Sequence, residues 1–185
     1  MSTDSDWKNA VGSAVMTGKI IVAALATGPT IFLLIVLFLT ANGGPPDRAP
    51  FVTYAALAFA AVAIAMRMIV PAATVASGRR QIVAGTYRPG TGRSNNPGFD
   101  KLLERSGDAG LLFQLYLTKT IIAAALLEGA TFFLLISYMM ERQILSLAAA
   151  IVLIVGVALL MPTRDGVLAW IENQLAQVEQ ERQFK

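Results

Sequence analysis

The chain of 185 residues contains neither cysteine nor histidine. The absence of cysteine excludes thiolate nucleophiles, disulfide bonds and thiolate metal sites. The absence of histidine excludes imidazole acid–base catalysis, imidazole metal ligands and a histidine pH sensor. Charged residues are also scarce, at 15% of the chain, and the net charge of +3 is too small to indicate binding to nucleic acid. We therefore predict no metal site and no nucleic-acid partner.

Recognisable catalytic and nucleotide-binding motifs are also missing. The sequence has no Walker loop, no HExxH, no GxSxG, no dinucleotide fingerprint and no paired catalytic carboxylates. A membrane enzyme that acts on lipid would need a polar cluster at the interface, and the sequence shows none. We therefore predict no catalytic residue, no cofactor and no enzymatic activity.

Long apolar runs are what the chain has in abundance. Hydrophobic residues make up 55% of the sequence, against about 45–50% in a typical soluble protein. The excess lies in four runs, and about 20 mostly apolar residues can span a bilayer as a helix. The sequence predicts an all-α integral membrane protein with four transmembrane helices, at residues 20–40, 51–70, 120–140 and 144–161. The first run follows Asp4 and Asp6 and is longer than the apolar region of a signal peptide, so we interpret it as an uncleaved anchor.

Two of these runs contain the same segment. Residues 20–35 and 121–136 are identical at eleven of sixteen aligned positions, and Thr27 in the first copy aligns with Glu128 in the second. This repeat predicts two hairpins in parallel orientation, related by a pseudo-axis along the membrane normal. Pro71 and Pro162 are predicted to end the second and fourth spans, because proline lacks an N–H donor and clashes with the preceding helical turn.

The basic residues predict the orientation. If both termini and residues 71–110 share one side, that side holds thirteen of the fifteen Lys and Arg residues, counting Arg67 and Lys119 at the helix ends. Only Arg48 and Arg142 lie on the other side. We therefore predict a multi-pass protein of the bacterial inner (plasma) membrane with cytoplasmic termini. The chain is predicted to divide into five segments. These are an N-terminal segment at 1–19, a first hairpin at 20–70, a basic loop at 71–110 with a linker-like centre at 88–98, a second hairpin at 111–162 and an amphipathic C-terminal helix at 163–185.

The last of these segments has apolar residues at helical spacing. Val167, Leu168, Ile171, Leu175 and Val178 follow that spacing, with Trp170 beside them. We interpret the segment either as an amphipathic helix on the membrane surface or on a partner, or as a solvated tail that continues from the fourth span.

Glu128 is the main candidate for chemistry. It lies eight residues into the third predicted span, about 12 Å from its inner boundary. A carboxylate at that depth must be protonated, paired or turned to the bundle interior. Glu128 is therefore a candidate proton or cation site, with Thr27 and Thr131 as candidate hydroxyl partners. The structural alternative is a protonated side chain that hydrogen-bonds a neighbouring helix or pairs with Arg67. Arg67 itself either pairs with Glu128 or snorkels to the interface.

Two resemblances follow from these residues. Residues 126–132, together with Met161-Pro162-Thr163-Arg164, resemble a pattern in small uncharacterised bacterial inner-membrane proteins with four helices, which implies no particular activity. The duplicated hairpins and Glu128 also resemble the proteolipid (c-type) subunits of rotary ATPases, which implies a proton-carrying carboxylate. In that family the carboxylate is on the second helix of a hairpin, the first helix is rich in glycine and the cytoplasmic loops are short. Here Glu128 is on the first helix of its hairpin, residues 20–40 contain only Gly28, and the loop is long.

Two functional hypotheses remain. The first is a non-enzymatic structural or accessory component of a membrane assembly, whose partners are lipid and either copies of itself or another membrane protein. The second is a proton- or cation-translocating subunit that uses Glu128.

Overall fold

The chain folds into helices throughout the part that the structure describes. The computed structural model describes residues 3–41, 43, 49–87 and 106–184. These residues form five α-helices and no strand: α1 (Thr3–Thr40), α2 (Phe51–Val83), α3 (Asp108–Glu141), α4 (Ile144–Ala158) and α5 (Arg164–Gln183). The predicted all-α class is confirmed for this part of the chain. The predicted linker at 88–98 lies outside the described residues.

Three of the helices are long and apolar enough to span a membrane. The candidate spans are Val15–Thr40, Phe51–Val83 and Asp108–Glu141. Helix α4 is apolar but has only 15 residues, a length of about 22 Å, whereas the hydrocarbon core of a bilayer is about 30 Å thick. The helix predicted at 144–161 therefore ends three residues early, at Ala158.

The helices extend well beyond the predicted spans. Helix α2 does not end at Pro71 but continues to Val83, and α3 begins at Asp108, within the segment predicted as a loop. Proline removes only its own N–H from the hydrogen-bonding pattern, and a helix whose other residues favour the conformation can absorb that loss. Pro162 does separate two helices, because the next residue, Thr163, is extended (φ −97°, ψ 149°).

Local signals set two of the helix ends. Helix α2 ends near Gly85, which has φ +67°, and the backbone N–H of Thr86 donates to the carbonyl of Gln81 at 2.9 Å. A left-handed residue of this kind is the usual way to close a helix C-terminus. Helix α5 begins at a threonine cap, where Thr163 Oγ1 accepts a hydrogen bond from the N–H of Gly166 at 3.3 Å.

The chain divides into two compact units. The apolar unit comprises Ile21–Val70 and Thr120–Met161, and the polar unit comprises Met1–Ile20, Pro71–Lys119 and Pro162–Lys185. The divisions fall within one residue of the predicted span limits at 20, 70, 120 and 161. Each unit has its own core.

Small residues and leucines fill the core of the apolar unit. Helix α2 contributes Ala56, Ala60 and Ala63, all of them buried. They pack with buried side chains of the other helices: Val36 of α1, Ala124, Leu127, Ala130, Leu134 and Leu135 of α3, and Ala150, Leu153 and Val157 of α4. Half of the apolar window of α3 is buried, against 17% for α1 and for α2. Helix α3 is therefore the central element of this unit.

Helix α5 packs in the core of the polar unit. Val167, Ile171 and Val178 are fully buried there, in one cluster with Ile82 of α2 and Phe113 of α3. The predicted helix is thus present, but its apolar face is covered by helices of its own chain. It is neither free on a membrane surface nor a solvated continuation of α4.

Candidate functional site

Glu128 lies on α3 against the backbone of α1. A Cβ atom built on Gly28 would be 3.2 Å from Glu128 Oε1 and 3.7 Å from the ring of Phe132. The ring of Phe132 also packs on Phe32, with centroids 5.3 Å apart. Glycine at residue 28 therefore leaves room for the carboxyl group, which is half-buried in the apolar unit. The residue of α1 that lies beside Glu128 is thus Gly28, which follows the predicted partner Thr27 in the sequence.

The carboxyl group has no polar partner among the described residues. It forms no salt bridge with Arg67, and no hydrogen bond to it is found in this part of the chain. Arg67 is half-buried on α2. The structure thus brings Glu128 to α1 but does not pair it with its predicted partner.

The threonines predicted at this site bond to their own helices. Thr27 Oγ1 donates to the carbonyl of Ala23, and Thr131 Oγ1 donates to the carbonyl of Leu127, each at 2.7 Å. Thr131 is fully buried, whereas Thr27 is exposed. Neither hydroxyl group bonds to Glu128.

A small-residue face adjoins Glu128. Gly129 and Ala125 are one helical turn apart on α3, and both are exposed. No described side chain lies within 4 Å of a Cβ built on Gly129. Around residue 129, α3 therefore offers a shallow surface beside a carboxyl group that has no polar partner within the described ranges.

Sequence reasoning missed a buried polar cluster at one end of the apolar unit. Glu141, the last residue of α3, accepts hydrogen bonds from the N–H groups of Val52 and Thr53, both at 2.7 Å. Three buried hydroxyl groups lie beside it, and Thr53 Oγ1, Ser137 Oγ and Ser146 Oγ are mutually 3.1 Å apart. The only signal in the sequence was an acidic residue that closes an apolar run, with serines on either side of the turn.

The turn between α3 and α4 is held to the end of α1. Arg142 has a left-handed backbone (φ +53°). Its guanidinium donates to the carbonyl of Thr40 and, at 3.1 Å, to that of Gly43. A cation at a helix C-terminus satisfies carbonyl groups that have no partner inside the helix. The basic residue predicted to lie outside the membrane thus caps α1.

In the polar unit, ion pairs hold α5 in place. Arg79 of α2 bonds to Glu181 at 2.8 Å and also donates to Gln174 and Gln177. Two more pairs join the same helix to α1 and α3: Lys8–Glu172 at 2.8 Å and Arg182–Asp108 at 2.7 Å.

An aromatic pair also holds a lysine in this unit. Lys119 Nζ lies 4.0 Å from the ring centroid of Trp170 and 4.6 Å from that of Tyr116. The two rings meet edge to face, with centroids 5.3 Å apart. The ammonium thus contacts two ring faces, which is a cation–π arrangement.

Nothing in the described ranges forms a recognisable catalytic or metal centre. No group of three or more metal-ligating side chains occurs there. No protein-family model, no curated protein and no solved structure matches this chain.

Proposed function

We propose that this protein is a non-enzymatic integral membrane protein and a structural or accessory component of a membrane assembly. The observation that supports this most directly is where the described chain exposes large apolar side chains. The strongly exposed large apolar side chains all belong to the apolar unit, with the exception of Met16, Ile20 and Phe184. An apolar surface of that extent is unfavourable in water and favourable in hydrocarbon.

The distribution of ion pairs also supports hydrocarbon as the surroundings of the apolar unit. All three salt bridges of the described residues are in the polar unit. In the apolar unit, Glu141 and Arg142 bond to backbone groups at the helix ends, where a membrane would give way to water. Polar groups inside a bilayer must form their hydrogen bonds within the protein. In a helix, the backbone N–H and carbonyl groups bond to each other and so meet this requirement.

We propose four spans, with α4 as the fourth. Residues 142 and 143 are the only connection between α3 and α4, so the chain turns back sharply after Glu141. Leu159 and Met161 are exposed and apolar, and they extend the apolar stretch to 18 residues. A short span is accommodated by local thinning of the bilayer at a modest cost. With the basic residues mostly on one side, both termini are cytoplasmic and the membrane is the bacterial inner membrane.

We also propose that the protein assembles in the membrane through the face of α3 that carries Ala125, Glu128 and Gly129. Small residues let another helix approach closely, and in lipid such packing is a main source of helix association. A carboxyl group without a partner among the described residues of its own chain gains most from a hydrogen bond supplied by a neighbour. The neighbour is a second copy of this chain or another membrane protein.

The absence of cysteine makes the topology directly testable. Single substitutions Ser5→Cys, Ala49→Cys and Ala176→Cys are labelled with a membrane-impermeant maleimide before and after cell lysis. We expect Ala49→Cys to react in intact spheroplasts, and the other two only after lysis. Reaction of Ala176→Cys from outside, with Ser5→Cys protected, would instead mean three spans. Recovery of the unlabelled protein in the soluble fraction would refute the membrane location.

Assembly is tested separately by native mass spectrometry in a mild detergent. We expect an oligomer for the wild type and a monomer for Gly129→Leu, whose added side chain occupies the shallow face. Val155→Leu adds bulk to an exposed position of α4 and serves as the matched control, which should remain oligomeric. A monomeric wild type, or equal behaviour of the two variants, would contradict assembly through this face.

Proton or cation handling is the second candidate. It is favoured by the carboxyl group of Glu128, which has no polar partner in the described part of the chain. The test is proton flux in liposomes and labelling by a hydrophobic carbodiimide. We expect both to be present in the wild type and lost in Glu128→Gln, with Glu172→Gln as the control in the polar unit. Absence of flux in the wild type leaves the accessory role as the better description.

A further inference from the structure

Two aromatic rings lie next to the carboxyl group of Glu128 in the apolar unit. The point that a Cβ atom on Gly28 would occupy is 3.2 Å from Glu128 Oε1 and 3.7 Å from Cζ of Phe132. Phe132 follows Glu128 by one helical turn, so the two side chains are neighbours on the same face of α3. The ring of Phe32 packs on that of Phe132, with centroids 5.3 Å apart. The carboxyl group and the ring pair therefore converge on Gly28.

The described residues of the apolar unit supply no counter-ion for this carboxyl group. Arg142 donates to the backbone carbonyls of Thr40 and Gly43, and Arg67 forms no ion pair with Glu128. A carboxylate in apolar surroundings is costly unless a positive charge lies beside it. A cation that binds from outside the chain would remove that cost.

The surroundings of the carboxyl group suit an organic cation better than a metal ion. Mg²⁺ and Ca²⁺ are bound by about six or more oxygen atoms. The hydroxyl groups of Thr27 and Thr131 are each bonded to a carbonyl of their own helix. An organic ammonium ion needs only one carboxylate for its charge, and its carbon atoms favour apolar contacts. Aromatic rings also attract such an ion when its charge lies within about 6 Å of the ring centroid.

The site can be reached from the surface of the apolar unit. The side chains of Glu128, Phe32 and Phe132 are all half-buried rather than enclosed. Thr27 of α1 and Gly129 of α3, which adjoin the site in sequence, are exposed. No other described side chain lies within 4 Å of a Cβ built on Gly129. A ligand can therefore approach the carboxyl group past small residues.

We propose that Glu128, Phe32 and Phe132 bind an organic ammonium ion that carries apolar substituents. The carboxylate pairs with the positive nitrogen, and the rings contact the substituents attached to it. Glycine at residue 28 leaves the room that this arrangement needs. The inference rests on cation handling by Glu128, the second candidate function, and it names the class of cation.

The test is isothermal titration calorimetry of the full-length protein in a nonionic detergent. The probe is benzyltrimethylammonium. Neopentylbenzene, in which a carbon atom replaces the nitrogen, is the uncharged ligand of the same shape. We expect the wild type to bind the ammonium ion at least about tenfold more tightly than the uncharged ligand. Equal affinity for the two ligands, or no binding of the ammonium ion, would overturn the proposal without the need for any variant.

Two substitutions separate the contribution of the charge from that of the ring. Glu128→Gln keeps the shape of the side chain, and we expect it to weaken binding of the ammonium ion at least about tenfold. Phe132→Leu keeps an apolar side chain and should weaken binding about three- to fivefold. The matched controls are Glu172→Gln, in the polar unit, and Phe133→Leu, whose ring packs on Phe59 with centroids 5.6 Å apart. Both controls should bind like the wild type.

The outcomes distinguish this inference from the function on which it rests. Equal loss of binding in a variant and its matched control would overturn the assignment to these residues. Proton flux that depends on Glu128, without binding of the ammonium ion, would refute the ammonium site and leave proton handling in place. Binding that Glu128→Gln abolishes, with no flux in the wild type, would support the site and refute proton translocation.

Discussion

The carboxylate of Glu141 accepts a hydrogen bond from the backbone N–H of Thr53, with Oε2 and N 2.7 Å apart. Its other oxygen accepts from Val52 at the same distance. The first N–H groups of a helix have no partner within that helix, and an anion there is also stabilised by the helix dipole. The last residue of α3 is therefore the N-terminal cap of α2, and it joins two helices that are distant in sequence.

Loss of this cap should destabilise the apolar unit. We expect Glu141→Ala to lower the free energy of unfolding, since the buried N–H of Thr53 and the partly buried N–H of Val52 lose their acceptor. Glu141→Gln keeps one acceptor oxygen and should have a smaller effect. The measurement is an SDS titration in mixed micelles. Glu172→Ala, which removes an ion pair between partly exposed side chains, is the control and should change little. Equal effects of the two alanine variants would contradict the capping role.

The hydroxyl groups next to this cap should act as a unit. Thr53, Ser137 and Ser146 are buried and share their hydrogen bonds. We expect Ser137→Ala and Ser146→Ala each to cost about 1 kcal/mol in the same titration. The double variant should cost less than the sum, because both substitutions remove one shared hydrogen bond. Strict additivity would show that the two hydroxyls contribute independently.

Two glycines should respond in opposite ways to the same substitution. A Cβ atom on Gly78 would lie 2.6 Å from Cδ1 of Leu115, which is buried in the polar core. We expect Gly78→Ala to destabilise the protein by about 1–3 kcal/mol through overpacking. Gly129→Ala is the control, since no described atom lies within 4 Å of its Cβ. Its stability should be unchanged or higher because alanine favours the helix. A neutral Gly78→Ala would mean that Leu115 has room to move.

Helix α5 should depend on its contacts with its own chain. Ile171 is fully buried in the polar unit, and we expect Ile171→Ala to cost about 2–5 kcal/mol because it leaves a cavity. Val152→Ala on α4 also shortens an aliphatic side chain, but it does so at an exposed position. It should have little effect. Hydrogen exchange of the α5 amides provides a local measurement. Unchanged protection in Ile171→Ala would argue that α5 does not rely on this core.

The helices themselves were largely predictable from sequence. Apolar runs identify helices because hydrophobicity is a local property that is summed over neighbouring residues. The errors arose at Pro71, which was predicted to end a span, and before Thr120, where α3 begins twelve residues earlier. A single proline is a weak stop signal inside a segment that otherwise favours a helix. The early part of α3 packs in a core that the sequence does not reveal.

The candidate site was predictable only in part. Glu128 is conspicuous because a carboxylate is rare in an apolar run. The repeat aligns it with Thr27, and the structure places it beside the next residue, Gly28. Its separation from Arg67 could not be predicted, since pairing depends on how each helix is rotated about its axis. The rotation of α1 about its axis likewise leaves Thr27 exposed, and that of α3 leaves Thr131 buried.

The sequence by itself determined the class of the fold, the apolar character of its helices and the one carboxylate within the third predicted span. These properties depend on residue type and local order alone. Only the tertiary structure decided that Glu141 caps α2, that Lys119 lies on Trp170 and that α5 packs on its own chain. Each of these contacts joins residues at least fifty positions apart. Their proximity is determined by how the helices pack, which no local pattern of residues specifies.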